Sequence, residues 1–185
     1  MNLWLRLFIY ALTCWWRPPI TLPADAAVLR LRVWPTDLDT SLHLNNGRYL
    51  TLMDLGRVEL MVRSGLWRAV LKHGWTPIAT GVQIRFRHEL RNFERFDLST
   101  RILWWDKSSI VIEQVFIVVD GPRQGQVAAR ALFRGGLYDR KARAFLPMSR
   151  LMQEIGIKAA SPAPSEDVAA FLAADEGMLG RSRVA

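Results

Sequence analysis

The chain holds one cysteine, Cys14, in 185 residues. No intrachain disulfide framework can form, which fits a reducing compartment. Its three histidines lack companions at a metal-ligand spacing, so no metal site is expected. Basic residues outnumber acidic ones by 25 to 17, yet no five of them are consecutive. Zinc-finger and basic-zipper spacings are also missing, so no nucleic-acid partner is expected. No apolar stretch reaches the roughly 20 residues of a spanning helix. There is no internal repeat. Helices and strands do not alternate in the way a doubly wound parallel sheet requires.

What is present is a net charge of +8 and a composition that is 50% hydrophobic. The charge attracts anions: nucleic acid, an anionic membrane face, or a phosphorylated small molecule such as coenzyme A. The length suits one domain with a sizeable core. We expect an apolar N-terminal segment over residues 1–22, a folded domain over 23–158 and a tail over 159–185.

Leu3 to Trp16 (LWLRLFIYALTCWW) is apolar except for Arg6 and Thr13, and Arg17-Pro18-Pro19 closes it. Three readings stand. It is a signal peptide, with Ala24-Asp25-Ala26 as a small-x-small cleavage site. It is an interfacial helix, with tryptophans at headgroup depth. Or it is a helix packed on the domain or on a partner subunit.

Ala26 to Trp34 alternates and predicts a strand. Pro35 to Leu44 is a polar loop. Asn45 or Asn46 caps a long helix that runs to about Ser64, with Gly65 as its stop. That helix is apolar around most of its circumference, as in a helix buried on several sides. Gly56 inside it permits close backbone approach. A second short helical stretch and a turn over Gly74 to Pro77 follow. Gly81 to Arg91 alternates strictly and predicts a strand, with His88 on its apolar face. Further strands are predicted over Asp97–Trp105, Ser109–Val119, Gln126–Tyr138 and near Phe145. Turns at Asp106–Ser108, Asp120–Gly125 and Asp139–Ala142 link them. Pro147 to Gly156 reads as a peripheral helix, Ser161 to Pro164 as a linker and Asp167 to Ala174 as a weak helix. The order points to α+β: an antiparallel sheet wrapped around one long helix.

The chemistry concentrates in Asp37 to Tyr49 (DLDTSLHLNNGRY). Two carboxylates, an imidazole and two amides lie between a strand end and a helix start. A helix start offers unpaired N–H groups and a positive dipole end. These can hold an oxygen that becomes negative during acyl transfer, while a carboxylate attacks or activates water. Asp-rich loops before helices are also very often plain turns and caps.

The string DLDTSLHLNNGRYLTLMDLGR resembles the motif of the 4-hydroxybenzoyl-CoA thioesterase-like hotdog family. That motif is roughly D-x-D-x(3)-H-[hydrophobic]-N-[NH]-x-x-Y, followed by a helix carrying an acidic residue, a small residue and Arg. Here those are Asp54, Gly56 and Arg57. With the apolar N-terminus, the likeness is greatest to the membrane-associated THEM6-like branch. The resemblance implies a hotdog fold and hydrolysis of an acyl-CoA thioester. It makes Asp39 the catalytic carboxylate, as nucleophile or as base. Asn46 stands where some relatives carry His and would orient water or the thioester. Backbone N–H groups near Gly47 and Arg48 would polarise the thioester oxygen, beside Asn45 and His43. Tyr49 would pack the site wall, and Asp37 would cap the loop. Asp54 sits where another branch places its carboxylate, and it can equally pair with Arg57. No cofactor is implied; coenzyme A enters as part of the substrate. A homodimer or dimer of dimers is implied, in the cytoplasm, with peripheral membrane contact through residues 3–16. The competing reading is a non-catalytic acyl-binding hotdog protein, motivated by Asn46 and the apolar N-terminus.

Arg85, Arg87 and Arg91 on one strand face, or Arg140, Lys141 and Arg143 at a turn, could meet the nucleotide phosphates. Trp104, Trp105, Phe86 and Phe116 are candidates for the acyl wall or the core.

Overall fold

The computed structural model describes residues 3–157 and 160–182. The boundary expected at 158–159 lies outside them, as do residues 1, 2 and 183–185. The helices are α1 (Leu3–Thr13), α2 (Asn46–Arg63), α3 (Leu66–His73), α4 (Met148–Glu154) and α5 (Glu166–Ser182). The strands are β1 (Ala27–Arg32), β2 (Trp75–Phe86), β3 (Arg95–Trp105), β4 (Ile110–Val118), β5 (Val127–Asp139) and β6 (Ala144–Phe145). They form one antiparallel sheet in the order β1-β3-β4-β5-β2, with β6 added to β5. The sheet packs around α2, which is the hotdog arrangement the motif implied.

Helix α2 buries Tyr49, Leu52, Met53, Leu55, Gly56, Glu59 and Leu60. Gly56 is where helix and sheet come closest. A Cβ there would lie 2.6 Å from Thr100 Oγ1, 2.7 Å from Gln114 Nε2 and 2.9 Å from Leu98 Cδ2. Hydrogen bonding holds this contact on both sides. The Gln114 amide donates to Met53 O (2.9 Å) and Thr100 Oγ1 (3.1 Å), and its oxygen accepts from Arg57 Nη1 (2.8 Å). Gly56→Ala is therefore expected to destabilise the fold by about 1–3 kcal/mol through overpacking, despite the better helix propensity of Ala. The urea midpoint measures it; an unchanged midpoint would contradict the close approach.

Strand β4 (IVIEQVFIV) is apolar almost throughout, a pattern of strands covered on both faces. Its inner residues face α2. On the outer face, α5 lays Val168 and Phe171 against Val111 and Leu132. Ion pairs pin it there: Arg130 with Asp167, and Arg134 with Asp175 at 2.9 Å. This helix is 17 residues long, where a weak helix of about half that length was expected. Weak amphipathicity in its sequence hides the fact that its partners lie in β4 and β5.

Other boundaries also differ. Strand β2 starts at Trp75, where a turn was expected, because residues 75–79 pair with Asp139 to Gly135 of β5. Pro77 is tolerated because β2 is an edge strand. The strand stops at Phe86, so His88 is exposed on this chain rather than buried in its core. Helix α4 buries Met148, Leu151 and Met152, so it belongs to the core and is not peripheral.

Helix α1 packs through Arg6 and Tyr10, with Cys14 in the turn directly after it; the three are buried and four residues apart. Its other face leaves Trp4, Phe8 and Leu12 exposed, and Trp16 follows it, also exposed. No helix of the described residues is long and apolar enough to cross a membrane.

Candidate active site

The loop between β1 and α2 is built on two aspartates with different duties. Asp37 is 2% exposed. Its carboxylate pairs with the buried guanidinium of Arg6 from α1 and lies 3.6 Å from Arg48. It also accepts the Trp34 N–H at 2.9 Å, while its carbonyl accepts the Asn45 N–H at 2.9 Å. Burial pulls the Arg6 guanidinium below its usual pKa, and the Asp37 charge opposes that shift. Asp37 thus anchors the loop, as expected. Its partner Arg6 was not foreseen. The available signal was the spacing of Arg6, Tyr10 and Cys14 on one helical face.

Asp39 is half-buried and closes a tight turn. One carboxylate oxygen accepts the N–H groups of Ser41 (2.9 Å) and His43 (3.3 Å). The Asp39 N–H in turn donates to His43 O at 2.9 Å. Leu42 sits at the tip with φ at 60° and its side chain in solvent. The second oxygen of Asp39 has no hydrogen-bond partner among the described residues. His43 contributes through its backbone, which also bridges to Arg91.

Helix α2 begins directly after this turn. Asn45 is its N-cap, accepting the Gly47 N–H at 2.8 Å. The Arg48 N–H donates to Asn45 O at 2.8 Å. The two N–H groups assigned to a thioester oxygen are therefore already engaged in capping. Asn46, the first helical residue, has an N–H with no partner among the described residues, and its side chain is exposed. The Arg48 side chain turns back to Thr36 O (3.2 Å) and Asp37. Tyr49 is buried between Phe86 and Phe116, with ring centroids at 5.0 and 4.9 Å. Burial, aided by the Glu94 charge, pushes its hydroxyl pKa up to about 12, so it stays protonated near neutrality.

Asp54 lies two turns further along α2, with its side chain 56% exposed and paired with Arg57. Burial lowers the Arg57 pKa, and Asp54 opposes that shift. Asp54 and Asp39 belong to different places on the helix: the turn before it and its middle. No cluster of three or more His, Cys, Asp or Glu suited to a metal occurs among the described residues.

Of the aromatic candidates, Phe116 is fully buried beside Tyr49 and Trp105 is buried with Ile102 and Met148. Phe86 is 39% exposed at the sheet edge, and Trp104 packs on the α5 side. Arg85 and Arg87 line an outer-face groove with Arg101 and Arg130. Arg91 pairs with Glu89, and Arg140 bonds Thr76 at the far end of β2.

A model described as the thioesterase-like superfamily matches residues 33–172. Protein THEM6 of Xenopus laevis is 40% identical over 87 residues, 47% of this chain and 42% of that protein. Protein THEM6 of Danio rerio is 36% identical over 113 residues, 61% of this chain and 56% of that protein. The matched stretch thus spans about half the length of these relatives. Among solved structures, YbaW, a probable thioesterase of Escherichia coli, has a TM-score of 0.64 at 21% identity, covering 71% of this chain and 96% of its own. SAV2348 from Staphylococcus aureus, solved in complex with CoA, has a TM-score of 0.62 at 13% identity, covering 79% and 92%. At these identities the structures speak for the fold.

Proposed function

Because the chain belongs to the thioesterase-like superfamily, we propose that it hydrolyses the thioester of an acyl-CoA, with Asp39 as the catalytic carboxylate. The observation that carries this is the half-tied state of Asp39. Backbone N–H groups fix one of its oxygens and leave the other available, immediately before the start of α2. The free Asn46 N–H and the positive helix end would hold the carbonyl oxygen as charge develops on it. Asp39 either activates a water or attacks the carbonyl itself, with water then cleaving the anhydride. In both routes the C–S bond breaks, the sulfur leaves with a proton as the coenzyme A thiol, and the acyl group leaves as a carboxylic acid. Asn46 can orient water but is no base, so Asp39 acts without an imidazole partner. The test is thiol release from a panel of acyl-CoAs, with Asp39→Asn as the comparison.

Arg85 and Arg87 are the better candidates for the nucleotide phosphates. They have no ion-pair partner among the described residues, and they flank Phe86, which packs on the first turn of α2. The alternative cluster at Arg140 to Arg143 follows β5 at its far end, where Asp139 pairs with Trp75. Pairing of two copies along the outer edge of β2 would complete the assembly. That edge is long, has no strand beside it among the described residues, and exposes Val82 and Phe86. A monomeric mass in sedimentation equilibrium would reject it.

The free face of α1 is the surface for peripheral contact with an anionic, cytoplasmic leaflet. Trp4, Phe8, Leu12 and Trp16 would enter the interface, with Arg17 and Arg32 nearby. Substituting Phe8 and Leu12 with Gln should abolish sedimentation with phosphatidylserine vesicles. Deleting the helix is the poorer test, since it strips Asp37 of its partner. Retained vesicle binding by the substituted chain would reject this role.

A further inference from the structure

Helix α1 packs beside β1, the edge strand at the other end of the sheet from β2. Between them lies a cavity of about 280 Å³. Its buried wall is formed by Tyr10, Leu29 and Leu55. Its charged lining is all of one sign: Arg6, Arg17, Arg30, Arg32 and Arg95. No Asp or Glu lines it among the described residues. The carboxylates that pair with these arginines stand outside the cavity and are outnumbered. Asp37 is shared by Arg6 and Arg48, and Glu59 by Arg17 and Arg63. Arg30 holds Asp97 and Arg95 holds Asp120, while Arg32 forms no ion pair among the described residues. Arg6 is the group that points to a ligand. It is 5% exposed, and its Nε and Nη1 atoms have no hydrogen-bond partner among the described residues. Buried donors left without acceptors are costly, and an anionic oxygen would satisfy them. The mouth of the cavity adjoins the free face of α1. Ile9 and Thr13 line it, and both are exposed. Helical spacing puts Ile9 between Thr13 and the exposed Leu5 and Leu12, so the apolar face runs up to the cavity without a break.

We propose that this cavity takes the phosphomonoester headgroup of a membrane lipid of the phosphatidic acid type, while the free face of α1 lies in the interface. The proposal deepens the peripheral contact of α1 described above and rests on it. The chemistry of the lining selects the headgroup. Guanidinium forks match phosphate oxygens in pairs and keep their charge at every physiological pH. A phosphomonoester carries about −1.5 to −2 charges near pH 7, more than a diester does. Serine, ethanolamine and choline headgroups bring an ammonium group, for which the cavity offers no carboxylate. The volume gives room for about nine groups of water size, at about 30 Å³ each, which suits a phosphate with its glycerol. Leu31 and Trp34 line the same cavity and would receive the glycerol carbons.

The test uses the full chain and phosphatidylcholine vesicles that carry phosphatidic acid or phosphatidylserine at equal surface charge. Sedimentation is expected to favour phosphatidic acid about tenfold, the worth of one charge-assisted contact. Two neutral substitutions at exposed positions fill the mouth, Thr13→Phe and Ile9→Trp. Each should remove the preference and leave phosphatidylserine binding unchanged or stronger, because the surface charge stays and the apolar face grows. Thermal melts confirm that the variants fold. Calorimetry with dihexanoyl phosphatidic acid below its micelle concentration reads the cavity without a surface. There Arg32→Gln is expected to weaken binding about tenfold. Inorganic phosphate, which lacks the glycerol, is expected to compete at least tenfold more weakly than the short lipid. Equal sedimentation with the two anionic lipids, or a preference that persists in the folded filled variants, overturns the cavity site and leaves the surface contact standing. Competition by inorganic phosphate as strong as that of the short lipid overturns a lipid as the occupant. If no vesicle is sedimented while dihexanoyl phosphatidic acid binds, the surface contact falls, and the membrane as source of the phosphate falls with it.

Discussion

Asp39→Asn is expected to lower kcat for thiol release by about 10² or more, with KM little changed. The amide keeps the size of the carboxylate. It also keeps an oxygen to accept the Ser41 and His43 N–H groups, so the turn should survive. What disappears is the negative charge on the second oxygen, which the reaction needs as nucleophile or base. Steady-state kinetics on both chains, with a thermal melt of each, separates lost chemistry from lost structure. If kcat is unchanged while the melt is the same, Asp39 is a turn residue and nothing more. Asp54→Asn is then the informative comparison. Asp54 itself is exposed, and the largely buried Arg57 keeps its hydrogen bond to Gln114 (2.8 Å), so the fold should tolerate the change. A large kcat loss there would move the chemistry to the middle of α2.

The second large effect is structural. Removing the Asp37 carboxylate, as in Asp37→Ala, is expected to destabilise the protein by about 3–5 kcal/mol. The two side chains of the Arg6–Asp37 pair are 4% and 3% exposed. Arg6 would be left as a buried charge, and its Nε and Nη1 atoms already have no hydrogen-bond partner among the described residues. Replacing both residues, Arg6→Met with Asp37→Leu, should cost much less, because no charge is then stranded. Urea unfolding of the two single variants and the double variant gives the coupling directly. Additive effects would mean that the pair does not hold α1 to the loop. The same pair links the apolar helix to the site, since Asp37 and Asp39 lie two residues apart in one loop.

Much of this architecture was legible in the chain. The Asn cap, the apolar circumference and Gly65 marked α2 to within a residue or two. The alternation of Val82, Ile84 and Phe86 gave the inner face of β2. The Asp106 turn was readable because its carboxylate caps the Ser108 and Ser109 N–H groups locally. Errors fell where the deciding partner is distant in sequence. The first half of β2 looked like a turn because Gly74 and Pro77 dominate its local signal, while its ladder to β5 overrides them. His88 read as inward because the alternation continues past Phe86, yet the strand does not. For the site, the motif gave the residues but not their states. Nothing local says that capping consumes the Gly47 N–H or that Asn46 is left with a free one.

By itself, then, the sequence determined the elements whose signals are short in range. These are the central helix with its cap, the alternating strands, the Asp-rich turn before the helix and the family motif carried on that turn. Such features depend on backbone preference and on residues within a few positions of one another. Only the tertiary structure decided which aspartate is buried and which keeps an open oxygen. Only it placed α1 on Asp37 and α5 on the outer sheet face. It also decided that α2, the sheet and α4 leave an apolar pocket between them. Each of these is set by contacts between segments far apart in the chain, such as Arg6 with Asp37 or Gly56 with Thr100 and Gln114. Their energies come from burial and close packing, which no local pattern encodes.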